Sequence, residues 1–324
     1  NLLFLILLFV KEKRLYKLIK IICKNFFSIP KYFNHQVYNY FKIQKFEPED
    51  ILVIQSCRPK DVELVYFLSG LIEKMPKIIM RVLYPPKKKI LKNFYYHTQK
   101  LINDKKYVKI FTEVSSIKKY IKKRLNYDVK NFTQIYTFHN RTIPKKFTLG
   151  FLGESRIDKG FNRLPNFINL LLNNGIDCKF IIQFSKKIYS NTDIIKNQIA
   201  DISKFNSNIK IIDGYIDFWE YRNLLKEINI MPLLYESDKL NFVGSGLFYS
   251  CITNEIPMII PSKADLLDEY LVFNSFEKAN TDEEYMKSVE KIIKNYDYYL
   301  TECKKLSSSY KKSILNDPLV REIN

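Results

Sequence analysis

The strongest constraint on this chain is a repeated alternation of short apolar runs with longer amphipathic stretches. Ile51 to Ile54 (ILVI), Lys77 to Leu83 (KIIMRVL), Val108 to Thr112 (VKIFT), Thr148 to Leu152, Lys179 to Phe184 (KFIIQF), Ile209 to Ile212 and Ile228 to Leu234 are short and mostly apolar. Such runs suit strands buried on both faces, and strands of that kind belong to parallel sheets covered by crossover helices. Between them Val62 to Lys74, Tyr95 to Asn103, Ser116 to Leu125, Phe161 to Asn173, Ile194 to Phe205 and Trp219 to Lys226 carry helical periodicity. Phe132 to Phe138 and Met258 to Ile260 read as further strands, Leu247 to Thr253 and Glu283 to Leu306 as further helices. The pattern predicts an α/β protein of βαβ units with parallel sheets.

The rhythm breaks once, at the polar stretch Asn140 to Lys146 (NRTIPKK), and a chain of 324 residues has the length of two ordinary domains. The predicted division is therefore 1–143 and 144–324. The charge balance changes at the same place. Residues 1–150 hold 31 Lys and Arg against 10 Asp and Glu, whereas residues 151–324 hold 22 against 24, so the net +19 lies wholly in the first half. A Lys-rich surface attracts an anionic leaflet, with about 1 kcal/mol per basic side chain near it, or it simply fills solvated positions. No RNP, KH or zinc-finger pattern accompanies the charge, so no nucleic-acid partner is expected.

With 46% hydrophobic and 27% charged residues the composition excludes disordered and collagenous classes. Five cysteines, at 23, 57, 178, 251 and 303, are scattered without a CxxC pair, which fits a reducing, cytoplasmic compartment. The run Leu2 to Val10 is too short to span a bilayer, which takes about 20 residues, and the basic Lys11, Lys13 and Arg14 follow it in the order opposite to a signal peptide; it reads as a buried helix. The three histidines at 35, 97 and 139 lack ligand spacing, and no Asp-x-Asp follows a strand, so no metal and no other cofactor is expected.

Two loops carry recognisable chemistry. Strand Thr148 to Leu152 runs into Gly153-Glu154-Ser155-Arg156-Ile157-Asp158-Lys159-Gly160 and then a helix, which offers two cations and backbone donors to a phosphate group. Strand Ile228 to Leu234 ends in Tyr235, and Val243-Gly244-Ser245-Gly246 then opens a helix. Gly244 and Gly246 allow close backbone approach, while Ser245 serves as a helix cap, as an anion donor, or as both.

The two loops, with IIDGYIDFWEYRNLL between them and EIPMIIP after them, resemble the carboxyl-terminal half of the retaining glycosyltransferases of family 4 over about 110 residues. The resemblance implies the GT-B fold, two Rossmann-like domains facing a cleft, with an acceptor domain first and a nucleotide-sugar domain second. It implies Arg156 and Lys159 on the diphosphate, Gly153, Gly160, Tyr235, Gly244, Ser245 and Gly246 around it, and Gly214-Tyr215-Ile216 near the base. The donor would be a nucleotide-diphosphate sugar. The acceptor would be a glycan or lipid-linked saccharide, met in the cytoplasm or on the inner face of the membrane. A nucleotide-sugar-binding protein without catalysis is the alternative.

The sequence departs from that family in three places. The Arg that commonly stands five positions before Lys159 is Glu154 here, so Arg156 must substitute. The family's paired Glu falls on Phe242 and Ser250, with Glu236 and Glu255 as the nearby carboxylates. No Gly occurs before Gly70, so the usual opening strand and Gly-rich loop are not found. Acceptor-side candidates come from the ends of first-half strands: Ser56, Arg58, Arg81 and His139. Cys57 reads first as a small buried hydrophobe, and His139, without a partner, as a structural residue.

Overall fold

A computed structural model of the chain describes residues 47, 49–54, 57, 59–69, 75–83, 88–104, 107–133, 143–185, 192–236, 245–264, 270 and 272–323. The expectations for Leu2 to Val10, Ser56, Arg58, His139, Phe242 and Gly244 lie outside these residues. The chain divides into two compact units that change over between Thr133 and Gln134, with Asn316–Asn324 belonging to the first. The expected boundary at residue 143 falls later than this, and the expected second domain wrongly includes the final segment.

In the first unit β1 (Ile51–Ile54), α1 (Pro59–Ser69), β2 (Lys77–Val82), α2 (Lys88–Asn103), β3 (Val108–Thr112), α3 (Ser115–Leu125) and β4 (Val129–Asn131) alternate. The four strands pair in parallel in the order β1-β2-β3-β4. The strand expected over 132–138 is preceded by β4; Phe132 still donates its N–H to the Thr112 carbonyl at 3.0 Å and joins Ile79, Phe111 and Leu319 in a buried cluster, while 134–138 lie outside the described residues. Leu319 comes from the final helix, Pro318–Ile323. Asp317 fixes that helix: its carboxylate accepts the backbone N–H of Thr133 and, at 2.7 Å, that of Leu319.

The second unit contains β5 (Thr148–Phe151), two short 3-10 turns (Ile157–Lys159 and Phe161–Arg163), α4 (Leu164–Asn173), β6 (Lys179–Phe184), α5 (Thr192–Phe205), β7 (Ile209–Asp213) and α6 (Phe218–Glu227). It continues through β8 (Met231–Pro232), α7 (Gly246–Thr253), β9 (Met258–Pro261), β10 (Phe276–Ala279), α8 (Asp282–Lys294) and α9 (Tyr296–Leu315). One parallel ladder runs β5-β6-β7 and another β8-β9-β10. A parallel bridge between Leu149 and Ile230 joins them, with the Gly150 N–H donating to the Ile230 carbonyl at 3.0 Å. The combined order is β7-β6-β5-β8-β9-β10, so strand addition reverses direction between β5 and β8, as in doubly wound dinucleotide-binding sheets.

The seam between β5 and β8 is narrow for a chemical reason. Pro232 has no N–H to give a neighbouring strand, so the ladder that begins at Ile230 does not extend. Buried Asn229 reinforces it by accepting the Thr148 N–H on its side-chain oxygen at 3.0 Å and donating its own N–H to the Thr148 carbonyl at 2.8 Å. Leu149, Phe180, Ile182, Ile230 and Ile259 of the sheet pack with Phe167 and Leu171 of α4 and with Tyr285, Val289 and Ile292 of α8. The helix expected over Glu283 to Leu306 is two helices, α8 opened by a Thr281–Glu284 capping box and closed at Asn295, then α9. β10 (FEKA) has no apolar run and escaped the sequence reading.

The loop after β5 is pressed against the end of β8 at Gly160. This residue has φ +75°, and a Cβ there would lie 2.0 Å from the Leu234 carbonyl oxygen. Gly175 has nearly the same φ, +72°, with no atom within 4 Å of a Cβ. Gly175→Ala is therefore expected to cost only the left-handed conformation, about 1–2 kcal/mol. Gly160→Ala adds a backbone collision and should cost about 3 kcal/mol or more. Urea unfolding midpoints of the two variants check this; equal losses would contradict the close approach.

Candidate functional site

A reversal in strand order leaves the loops after the two flanking strands with no helix crossing between them, and ligands of open α/β sheets bind there. Here these loops are Gly153–Gly160, after β5, and the segment after β8 that leads to Ser245. Side chains from neighbouring elements hold the first loop and the end of β8 in position. Gln183 of β6 accepts the Gly153 N–H at 2.8 Å and donates to the Gly214 carbonyl at 3.1 Å, clipping the loop after β5 to that after β7. Ser155 donates its hydroxyl to the Gln183 carbonyl at 3.2 Å and accepts the Ser185 N–H at 2.9 Å.

The end of β8 is held from the other side. Tyr285 donates its hydroxyl to the Leu233 carbonyl at 2.6 Å, and Arg163 donates to the Leu234 carbonyl at 3.2 Å while its guanidinium is fixed by Asp282. The two loops meet where the Glu236 N–H donates to the Asp158 carbonyl at 3.2 Å. Gln183, Ser155, Arg163 and Tyr285 were missed in the sequence. Gln183 alone left a signal, since it interrupts the apolar run KFIIQF.

Gly153, Glu154 and Lys159 from the first loop line a concave pocket with Tyr235 and with Leu247 of α7. The Lys159 ammonium lies 6.0 Å from the centre of the Tyr235 ring. Burial, with the nearby Arg156 charge second, lowers its pKa. No carboxylate among the described residues lies within ion-pair distance of it. A desolvated ammonium without a counter-charge is costly, and an anion in the pocket relieves that cost. The Tyr235 hydroxyl sits 3.2 Å from the Ser245 hydroxyl, and burial pushes its pKa up to about 12, so it is a neutral hydrogen-bonding group at physiological pH. Ser245 also caps α7, its oxygen accepting the Phe248 N–H at 3.4 Å, so the cap and donor readings coexist in one residue. Gly246 is the first residue of α7, at the end of the helix that favours negative charge.

Arg156 is engaged differently. Asp158 takes its Nε at 2.8 Å and a second guanidinium nitrogen alongside, and Glu154 accepts from the third at 3.3 Å. The hydrogen bonds to Asp158 are the main cause that holds its pKa above the usual arginine value. The structure thus brings together Gly153, Arg156, Lys159, Gly160, Tyr235, Ser245 and Gly246. Gly214 joins them through Gln183; Ile216 is buried and Tyr215 is 62% exposed.

Other sequence candidates are placed elsewhere. Arg81 lies in β2 of the first unit, 7% exposed, with its guanidinium 4.1 Å from the centre of the Phe132 ring. Cys57 is buried and donates its N–H to the Arg81 carbonyl at 2.7 Å. Ser250 is on the buried side of α7. Glu255 follows the carboxyl end of α7 in a left-handed conformation, φ 55°, about 12 Å along the helix from Ser245. Exposed Glu236 is the nearer carboxylate, tied to the loop after β5.

No family model and no curated protein sequence matches the chain. Solved structures do. A TarM mutant from S. aureus in complex with fondaparinux, alpha-GlcNAc-glycerol and UDP shares 12% identity at a TM-score of 0.64, over 88% of this chain and 58% of TarM. Anabaena HepE in complex with UDP shares 9% identity at 0.63, over 86% of this chain and 77% of HepE. The sucrose-phosphate synthase of Thermosynechococcus elongatus shares 8% at 0.62, over 90% and 75%. These are GT-B glycosyltransferases, and the chain has the GT-B fold. It spans little more than half the length of TarM.

The lowered pKa of Lys159 has a consequence for stability. Between the folded value and the unfolded value of 10.5 the unfolded chain binds more protons, so this residue makes the wild type more stable as pH rises through that window. Below it the desolvation penalty is fully present. Lys159→Met should therefore raise the melting temperature at pH 7, and the gain should shrink as pH approaches 10.5. A melting series from pH 6 to 10.5 checks it; a variant less stable at pH 7 would contradict the unpaired ammonium.

Proposed function

We propose that the protein is a retaining glycosyltransferase similar to those of family 4, with the nucleotide-diphosphate sugar bound by the second unit. The observation that carries this reading is the half-buried Lys159 ammonium, with no carboxylate among the described residues at ion-pair distance, beside Tyr235 at the reversal of the sheet. UDP in the TarM and HepE structures supports the donor class. In sugar transfer the bond between the anomeric carbon and the diphosphate breaks, and negative charge develops on the leaving phosphate. Lys159 and the amino end of α7 supply fixed positive potential to that charge, and Ser245 and Gly246 supply donors. Tyr235 holds the Ser245 hydroxyl. Arg156 adds a second cation, and Gly214-Tyr215-Ile216 borders the base. The acceptor is a glycan or lipid-linked saccharide.

The first unit carries the attachment to a membrane surface. On α3 Lys119, Lys122, Lys123 and Arg124 are exposed while Ile117, Ile121 and Leu125 hold the helix to its sheet. Its outer face therefore carries positive charge without apolar residues to insert. Among the described residues no helix is long and apolar enough to cross a membrane. The proposed location is the inner face of the cytoplasmic membrane.

Two measurements test these readings. Thermal shift and calorimetric titration with UDP, GDP, ADP and CMP should give a selective stabilisation by one nucleoside diphosphate, with affinity about tenfold or more weaker in Lys159→Ala. Equal affinity in that variant would remove the donor site. Pelleting with vesicles containing phosphatidylglycerol should retain the wild type and lose about tenfold in partition for Lys122→Gln/Lys123→Gln. Binding independent of lipid charge would remove the membrane surface.

A further inference from the structure

Arg156 and Lys159 are neighbours on one loop but stand in opposite electrostatic situations. Among the described residues no carboxylate lies within ion-pair distance of Lys159, whereas the guanidinium of Arg156 is gripped along one edge by Asp158 and touched on its remaining nitrogen by Glu154. Guanidinium binds carboxylate and phosphate through the same planar fork, so the edge that Asp158 occupies cannot serve a phosphate at the same time. The two cations and two carboxylates of the loop balance in number, but both carboxylates are held on Arg156, so Lys159 lines the pocket without an ion-pair partner among the described residues.

We infer that Asp158, assisted by Glu154, is a specificity-determining competitor for the donor diphosphate: it occupies Arg156 and yields it only to an anion of higher charge. The inference rests on the donor-site reading above. Geometry allows the exchange. The Asp158 main chain is fixed by the Glu236 N–H on its carbonyl, while its side chain is 26% exposed and that of Glu154 44% exposed. Both carboxylates thus meet solvent on part of their surface, which gives each a route away from Arg156. Arg156 then contributes affinity to a diphosphate, whereas a singly charged anion gains nothing by displacing a carboxylate of equal charge. Asp158 thus sets how strongly the pocket separates diphosphates from weaker anions.

The test is calorimetric titration of UDP, GDP and ADP into the wild type, Asp158→Asn, Arg156→Met, the double variant Asp158→Asn/Arg156→Met, and Lys159→Ala. Asparagine keeps the size of the side chain and removes its charge. Asp158→Asn should bind the preferred nucleotide about three- to fivefold more tightly, as expected for release of a partly exposed ion pair. The gain should vanish in the double variant relative to Arg156→Met. If the wild type binds in a Lys159-dependent way and Asp158→Asn binds no tighter, Asp158 positions Arg156 instead and the inference falls alone. A gain that persists without Arg156 also overturns it. If neither the wild type nor Asp158→Asn binds any of the three, the inference falls together with the donor-site reading.

Discussion

The second unit depends on the seam between β5 and β8. A parallel bridge at Leu149 and Ile230, buttressed by Asn229 on Thr148, is all that turns two three-stranded ladders into one six-stranded sheet. Because the winding reverses there, two loops emerge side by side without a crossover helix between them. Every group of the candidate anion site comes from those loops or is clipped to them. Pro232 limits the pairing just where the strand must end, and Gly160 lets the opposing loop close to backbone contact.

How much of this was legible in the sequence depends on how local the signal is. Apolar runs such as KFIIQF and VKIFT announce buried strands because alternation is suppressed when both faces are covered, and their boundaries match the structure. The two strand-end loops were legible because Gly, Lys and Ser sit at fixed offsets from a strand end. The final helix was not, since its partner Thr133 lies 184 residues away and its only marker is a single Asp. The short β10 was invisible for a related reason: FEKA carries no run that a sequence pattern can register. Arg81, an acceptor-side candidate by its position in a strand, has its guanidinium over the Phe132 ring, a partner that no local pattern announces.

The site also shows how a fold divides labour between groups that touch a ligand and groups that hold them. Gln183, Ser155, Arg163 and Tyr285 bind main-chain atoms and so fix the loops. Lys159 is the contrary case, a charge kept partly desolvated with no ion-pair partner among the described residues, an arrangement that diminishes stability. The capped helix start at Ser245 serves both ends at once, because the hydroxyl that satisfies the Phe248 N–H faces the Tyr235 hydroxyl as well.

The grip of Asp317 on Thr133 bears on how the chain is made. Synthesis proceeds from the amino end, so the first unit emerges early but lacks Leu319 and its capping carboxylate until all of β5 to α9 has been translated. The cluster of Ile79, Phe111 and Phe132 stays uncovered through that interval. A nascent chain of this kind has an unfinished apolar surface for the whole time its neighbour is assembling, which is when chaperones act and when a truncated product is degraded. Cleavage between α9 and the helix Pro318–Ile323 would accordingly be felt in the sheet that begins at Ile51, and not in the unit that precedes that helix in sequence.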